Sequence, residues 1–390
     1  MVPLDWKESL SLYLHIPFCS QRCSYCDFNT YISLDGLREA YSAALAKEIA
    51  FIGQETRRPA HTIFFGGGTP SLLSNKDLSL ILDSLREFFV LSDTAEITLE
   101  ANPETLDLNY LKMLRNLGFN RLSMGAQSAN PGELRLLGRE HTFDTVIQAV
   151  EMSRAAGFEN INLDLIYGLP DQSLAKWENS LRAAIETRPD HLSLYCLTIE
   201  PGTTLFRQLN GGQIMTPDPD IAADQYELAT ELSAGFGFKQ YEISNWALPG
   251  RQCEHNLSYW RNNEYLGLGA GAHGHAAGFR YDVVKQPRVY IRRISEALLG
   301  QYPWSPAVAN KHQLSLKEAM SDTVITQLRL TEEGLDLAAF SDHFNQSLTG
   351  AFPGTVEKLE AMGLLIQKEK RLLLTKYGRF LSNQVFRQFV

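Results

Sequence analysis

The 390-residue chain has no apolar run approaching the roughly 20 residues needed to cross a bilayer. Its first residues, Met1-Val2-Pro3-Leu4-Asp5-Trp6-Lys7, lack the basic-then-apolar pattern of a secretory signal. Both absences predict a cytoplasmic protein. Positive charge is not in excess either: 45 acidic against 36 basic residues leave a net charge of -9, so no global field draws the chain to nucleic acid or to an anionic membrane. Cysteine is scarce, five in all, and three of the five are crowded between positions 19 and 26. An odd, clustered set is a poor disulfide framework and suits reduced thiols offered to a metal.

Short apolar strands alternate with amphipathic stretches through the first half. Leu12–Ile16, Thr62–Phe65, Ile97–Glu100, Arg121–Met124, Asn162–Ile166 and Leu192–Leu197 read as strands, with helices over Leu37–Ile52, Lys76–Phe89, Leu106–Leu117 and Phe143–Ala156. Six βα units with a parallel sheet follow, and periodicity alone leaves open a doubly wound sheet or a barrel. The rhythm fades near residue 200, where Pro201-Gly202, Gly211-Gly212 and Pro217-Asp218-Pro219 read as loops and turns. From about Ser315 helices lead to a hairpin, Leu364–Gln367 with Arg371–Leu374, in the order of a winged helix. No concentrated basic helix accompanies it, which favours a structural or partner-docking role over DNA. The expected division is an α/β core over 1–210, a connecting region over 211–310 and a C-terminal α+β, winged-helix-like unit over 311–390.

Cys19-Ser20-Gln21-Arg22-Cys23-Ser24-Tyr25-Cys26 leaves the first strand with the spacing C-x3-C-x2-C. Thiolates suit an iron–sulfur cluster, and three of them on one short loop leave one iron of a cubane without a protein ligand. A zinc site with His15 as fourth ligand is the alternative, although no second cysteine knuckle is present. Gly66-Gly67-Gly68-Thr69-Pro70 follows the second strand and can bring backbone N–H groups close to a ligand. Glu100, Gln127, Arg139 and Asp164 lie at or just beyond later strand ends. Each reads equally as a cap, a solvated charge or a satisfied buried polar group. Together they suit S-adenosylmethionine (SAM), with carboxylates and an amide for its hydroxyls and ammonium and an arginine for its carboxylate.

At the cysteine loop the chain resembles the radical-SAM superfamily, down to the aromatic Tyr25 before the last cysteine. That resemblance implies a partial (β/α)6 barrel, a [4Fe–4S] cluster on Cys19, Cys23 and Cys26, and SAM on the open iron. Leu12-Tyr13-Leu14-His15-Ile16-Pro17-Phe18-Cys19, the glycine turn, Glu100-Ala101-Asn102-Pro103 and Gly125-Ala126-Gln127-Ser128 look like the branch of oxygen-independent coproporphyrinogen III oxidase. The branch implies SAM contacts at Tyr13, Tyr25, Gly67, Gly68, Thr69, Glu100, Gln127, Arg139 and Asp164.

Two departures separate the chain from the oxidases. The third cysteine is followed by Asp27-Phe28-Asn29-Thr30-Tyr31 rather than Gly-Cys, and only about ten residues precede the first strand where the oxidases carry a longer extension. Farther on, Cys253-Glu254-His255-Asn256-Leu257-Ser258-Tyr259-Trp260 precedes Tyr265-Leu266-Gly267-Leu268-Gly269-Ala270-Gly271-Ala272-His273-Gly274. On the residues alone, His255 is either an axial haem ligand beside flat aromatics or a histidine hydrogen-bonded in a loop. The Asp-Phe continuation and the His-Asn-x-x-Tyr-Trp element resemble HemW-type haem chaperones. That likeness implies haem as cargo, His255 as its ligand with Cys253 and Trp260 behind it, and no oxidase activity. It also implies a homodimer, apo-haemoprotein acceptors such as respiratory enzymes, and peripheral contact with a membrane-bound acceptor. Cys196, inside an apolar strand, reads as a core thiol.

Overall fold

The computed structural model describes residues 10–56 and 58–390. Six strands follow the expected βα rhythm: β1 (Leu10–Ile16), β2 (Pro59–Gly67), β3 (Val90–Ala101), β4 (Arg121–Gln127), β5 (Ile161–Tyr167) and β6 (His191–Cys196). Six short strands follow: β7 (Lys239–Glu242), β8 (Asn245–Ala247), β9 (Tyr265–Leu268), β10 (His273–Ala276), β11 (Phe279–Val283) and β12 (Val308–Gln313). All twelve form one sheet in the order β12-β11-β10-β9-β1-β2-β3-β4-β5-β6-β8-β7. From β9 through β1 to β6 every pairing is parallel, and the flanking strands are antiparallel. The result is a partial barrel with antiparallel margins.

Local signals set the helices between the strands. Ser74 and Asp77 form a reciprocal capping box at the start of Asn75–Phe88, and Asp107 and Ser173 cap Leu108–Asn116 and Leu174–Glu186. Their apolar faces pack outside a sheet whose strands are buried on both sides. All of β4 is buried, as parallel strands covered on both faces must be. Leu12, Ile63, Leu99, Leu122, Leu163 and Leu192 are each 0% exposed in this core, and truncating such a side chain to alanine costs about 2–5 kcal/mol.

Three features depart from the sequence reading. Pro217-Asp218-Pro219 does not remain a turn but opens the 17-residue helix Pro219–Gly235, because Asp218 caps the amides of Asp220 and Ile221 and proline at the first helical position needs no donor. β9 joins the sheet in parallel beside β1, although its run of alternate glycines carries little strand signal. Cys196 is not a core thiol: it is exposed, because it ends β6 at the open rim.

A second core, built on Val324, Leu328, Phe340, Leu372 and Phe389, lies in the C-terminal part. Helices Leu316–Gln327, Leu337–Phe344 and Thr355–Ala361 pack there on an antiparallel sheet of β13 (Leu335–Asp336), β15 (Arg371–Leu374) and β14 (Leu365–Lys368), a winged-helix-like arrangement. Ion pairs Arg329–Glu242 at 3.1 Å and Arg261–Glu333 at 2.6 Å tie it to the barrel.

Candidate functional site

The carboxyl ends of β1 to β6 open on a cavity of about 560 Å³. In an open parallel sheet this is where loops, rather than strands, supply ligands. The loop after β1 carries Cys19, Cys23 and Cys26, all half-buried and free, onto one wall. Its backbone is pinned by Cys19 N–H to Tyr31 O at 3.0 Å, Tyr31 N–H to Pro17 O at 2.7 Å and Ser24 N–H to Leu137 O at 3.0 Å. Each sulfur has its own polar neighbour: Thr69 Oγ1 donates to Cys19 at 3.6 Å, Arg139 Nη1 donates to Cys23 at 3.4 Å, and Thr30 Oγ1 lies 3.9 Å from Cys26. Burial pushes the Cys19 and Cys26 thiols up, and the threonine hydroxyls oppose that shift.

Among the described residues, no three His, Cys, Asp or Glu side chains gather as ligands of a single ion. All three thiols line the cavity, and a cubane would take each thiolate on a separate iron. His15 is not the fourth member of a zinc set. Its Nδ1 lies 3.0 Å from Tyr13 Oη and its Nε2 3.0 Å from Asn29 O, so both ring nitrogens are engaged within the chain.

The glycine turn after β2 lies flat against the exit of β1. Gly67 has φ +108°, and a side chain there would run into the His15 ring. Gly68 donates to Ile16 O at 2.8 Å, and a Cβ at that position would sit 2.6 Å from Phe18 O. The Gly67 amide donates to Glu100 Oε2 at 3.1 Å, which brings β3 to the turn. Asp164 on β5 accepts from Asn162 Nδ2 at 2.7 Å and from Ser123 Oγ at 3.4 Å. Burial, and then the charge of Asp164, pushes the Glu100 carboxyl up to about 7, and burial raises Asp164 as well. Two carboxylates on one sheltered wall favour a ligand with hydroxyls and positive charge.

Gln127 ends β4 in the left-handed region, φ 63°, where the pairing with β5 shifts register, and it too lines the cavity. Arg139 spends Nη2 on Asn102 Oδ1 at 2.7 Å and Gly125 O at 3.0 Å, while its buried Nε has no partner. Tyr13, Tyr25, Gly67, Gly68, Thr69, Glu100, Gln127, Arg139 and Asp164 thus border one cavity with the three cysteines. Asn102, Tyr195 and Cys196 share that cavity and were missed. Asn102 stood in the quoted Glu100-Ala101-Asn102-Pro103 run; Tyr195 and Cys196 carried no signal beyond their place at a strand end.

Of the three residues of the second element, Cys253 and His255 meet at Glu96, Cys253 through its thiol and His255 through its backbone amide. His255, at 1% exposed, borders the deep end of the cavity, with Nδ1 2.8 Å from Thr62 Oγ1 and Nε2 2.8 Å from Tyr259 Oη. Burial pushes its imidazole down to about 3, so it is neutral. Cys253 is wholly buried with its thiol 3.5 Å from Glu96 Oε1, and Trp260 packs under the Arg329 guanidinium, 4.2 Å from the ring centre. Neither lines the cavity.

Comparison with known proteins gives this arrangement its place. Residues 13–184 match the model of the radical SAM superfamily and residues 314–381 that of the HemN C-terminal domain. The fold and the three-cysteine cavity are those of a radical-SAM protein. The haem chaperone HemW of Bacillus subtilis is 37% identical over 97% of this chain and 99% of its own, and that of Haemophilus influenzae is 40% identical over 98% of each. The solved coproporphyrinogen III oxidase (HemN) of Escherichia coli superposes with a TM-score of 0.85 at 26% identity, covering 98% of this chain and 90% of that one. The chain belongs to the HemW haem-chaperone family.

Proposed function

We propose that the chain holds a [4Fe–4S] cluster and SAM in its cavity and carries haem to haemoprotein acceptors. The observation that carries the cofactor part is the wall on which Cys19, Cys23 and Cys26 face Glu100 and Asp164. When bound, the cluster supplies an iron with an open position for SAM and an electron for reductive cleavage of SAM. Glu100 and Asp164 accept from hydroxyls and balance the sulfonium charge. The unspent Nε of Arg139 is a donor for the SAM carboxylate. Tyr13 and Tyr25 supply flat walls, Gly67, Gly68 and Thr69 permit close approach beside Cys19, and Gln127 offers an amide.

Haem as cargo follows from family membership. His255 is the residue for its iron: burial keeps the imidazole neutral, Thr62 fixes Nδ1, and Nε2 becomes a ligand once the Tyr259 hydroxyl turns aside. Cys253 and Trp260 stay in packing roles. A cytoplasmic location is the expectation from the sequence, and a homodimer and peripheral contact with membrane-bound acceptors belong to the same reading, as the family resemblance implies. So does a division near residues 210 and 310, supported at its second boundary by the separate C-terminal core.

The test is anaerobic haem transfer from reconstituted protein to an apo-haemoprotein, with and without cluster and SAM. Transfer is expected; haem titration without any Soret change would sink the reading. The fold shared with HemN favours a second reading, porphyrinogen decarboxylation. No conversion of coproporphyrinogen III with SAM and reductant is expected, and turnover would replace the carrier by an enzyme.

A further inference from the structure

The segment after the third cysteine, Asp27 to Tyr31, is held at its far end by Tyr31 N–H to Pro17 O and is irregular before it. Asp27 and Phe28 are exposed, Phe28 at 62%, and the segment forms no helix and only an isolated bridge at Tyr31. Yet it fixes both ends of the cysteine loop: Thr30 lies beside the Cys26 sulfur, and Tyr31 O accepts the Cys19 amide. Asn29 supplies a second anchor. Its Nδ2 donates to Ala270 O and to Lys285 O, both at 3.0 Å, and its own carbonyl lies 3.0 Å from His15 Nε2. Tyr31 Oη completes the contact, 3.2 Å from Asn29 Oδ1 and from Lys285 O.

The surface that Asn29 grips is rigid and shaped for it. Gly271 has φ +85°, and a Cβ there would occupy the space of the Asn29 amide. Gly269, at φ +92°, leaves no room for a Cβ beside His15 O and Tyr41 Oη. The fully buried Tyr41 donates to His15 O at 2.7 Å and accepts from the Ala270 amide at 2.8 Å, and Glu48 accepts from Gly269 N at 2.8 Å. The Gly-x-Gly-x-Gly run after β9 is therefore a socket, held from behind by helix Arg38–Gly53.

We propose that Asn29 is a positioning residue for the iron–sulfur cluster, setting the spacing of Cys19 and Cys26 by locking their loop into the 269–285 socket. The role rests on the reading that these cysteines hold a cluster. Two side-chain N–H donors onto two backbone carbonyls fix direction as well as distance, which a packing contact alone does not.

The test uses the full chain, reconstituted anaerobically with iron and sulfide, as parent, Asn29→Asp, Asn29→Leu and Tyr31→Phe. Asn29→Asp keeps the shape and removes both donors, while Asn29→Leu keeps the volume without hydrogen bonds. Expected are iron release to a chelator about 10-fold faster than in the parent for Asn29→Asp and for Asn29→Leu, and a changed EPR spectrum of the reduced cluster. Tyr31→Phe is expected to show a smaller change in the same direction, and it keeps the test open should neither Asn29 variant fold. Parental release rates and spectra in folded Asn29→Asp or Asn29→Leu would overturn the role. A parent that takes up no iron and sulfide would overturn the cluster assignment itself, and Asn29's part with it.

Discussion

Glu100 on β3 accepts the amide proton of Gly67, at 3.1 Å, from the end of the neighbouring strand β2. The same carboxyl is held up to about 7 by burial and by Asp164. An acid raised in the fold disfavours folding as pH climbs from the ordinary carboxylate range, about 4.3, to about 7, where the penalty is complete. Ligand-free protein should lose on the order of 3–4 kcal/mol over that window, and Glu100→Gln should lose less; urea titrations across pH read the difference. Bound SAM, being cationic at sulfur, favours the ionised carboxylate. SAM affinity should therefore rise from about pH 6 to about pH 8, and Glu100→Gln should be weaker and flat; equal slopes would remove Glu100 from the site.

Arg139 serves a sulfur, an amide oxygen and a backbone carbonyl with two nitrogens. Lysine keeps the charge but cannot fork. Arg139→Lys should weaken SAM binding by about 10-fold or more, as read by equilibrium dialysis of the reconstituted protein, with the fold retained. Unchanged binding would return Arg139 to a purely structural role.

His255→Ala strands the hydroxyls of Thr62 and Tyr259. Each unpaired buried group costs about 1–3 kcal/mol, so the urea midpoint should fall. The Soret band of haem-titrated protein should weaken in variant that remains folded. Tyr259→Phe, which frees Nε2, should bind haem more tightly. An unaltered Soret band in folded His255→Ala would leave the imidazole as a core group and move the haem elsewhere.

Strand and helix positions in the first half were legible because β1 to β6 are apolar runs separated by helical stretches, several of which open on a capping side chain. Residues of the cavity were legible for the same topological reason, since Glu100, Gln127 and Asp164 lie where parallel strands end or near it. What escaped was set by long-range pairing. Tyr265–Leu268 is four residues long, carries a glycine and runs into a glycine-rich turn, and it reads as a strand only once it pairs with β1. Cys196 looked buried because its neighbours are apolar, but it stands at a rim that periodicity cannot locate. The hydrogen bond on His255 Nδ1 likewise depends on Thr62, a partner far away in sequence.

Gly378 packs directly on the Leu364 carbonyl, with no room for a Cβ. Gly378→Ala should destabilise the C-terminal part by about 1–3 kcal/mol through overpacking, seen as an earlier unfolding step or faster proteolysis there. Cluster uptake should be unaffected, because the barrel has its own core. Loss of the cluster in this variant would mean that the two parts unfold as one.

The pairing of β1 with β9 and the grip of Asn29 on Lys285 also impose an order of events during synthesis. The cysteine loop leaves the ribosome well before its socket, whose residue Lys285 arrives some 256 residues after Asn29. At about 5–20 residues per second, the thiols wait on the order of ten seconds or more without their final support. Cluster insertion into a settled loop thus waits for residue 285 to emerge, and chains ending before residue 285 should carry the cysteines without the geometry that keeps iron.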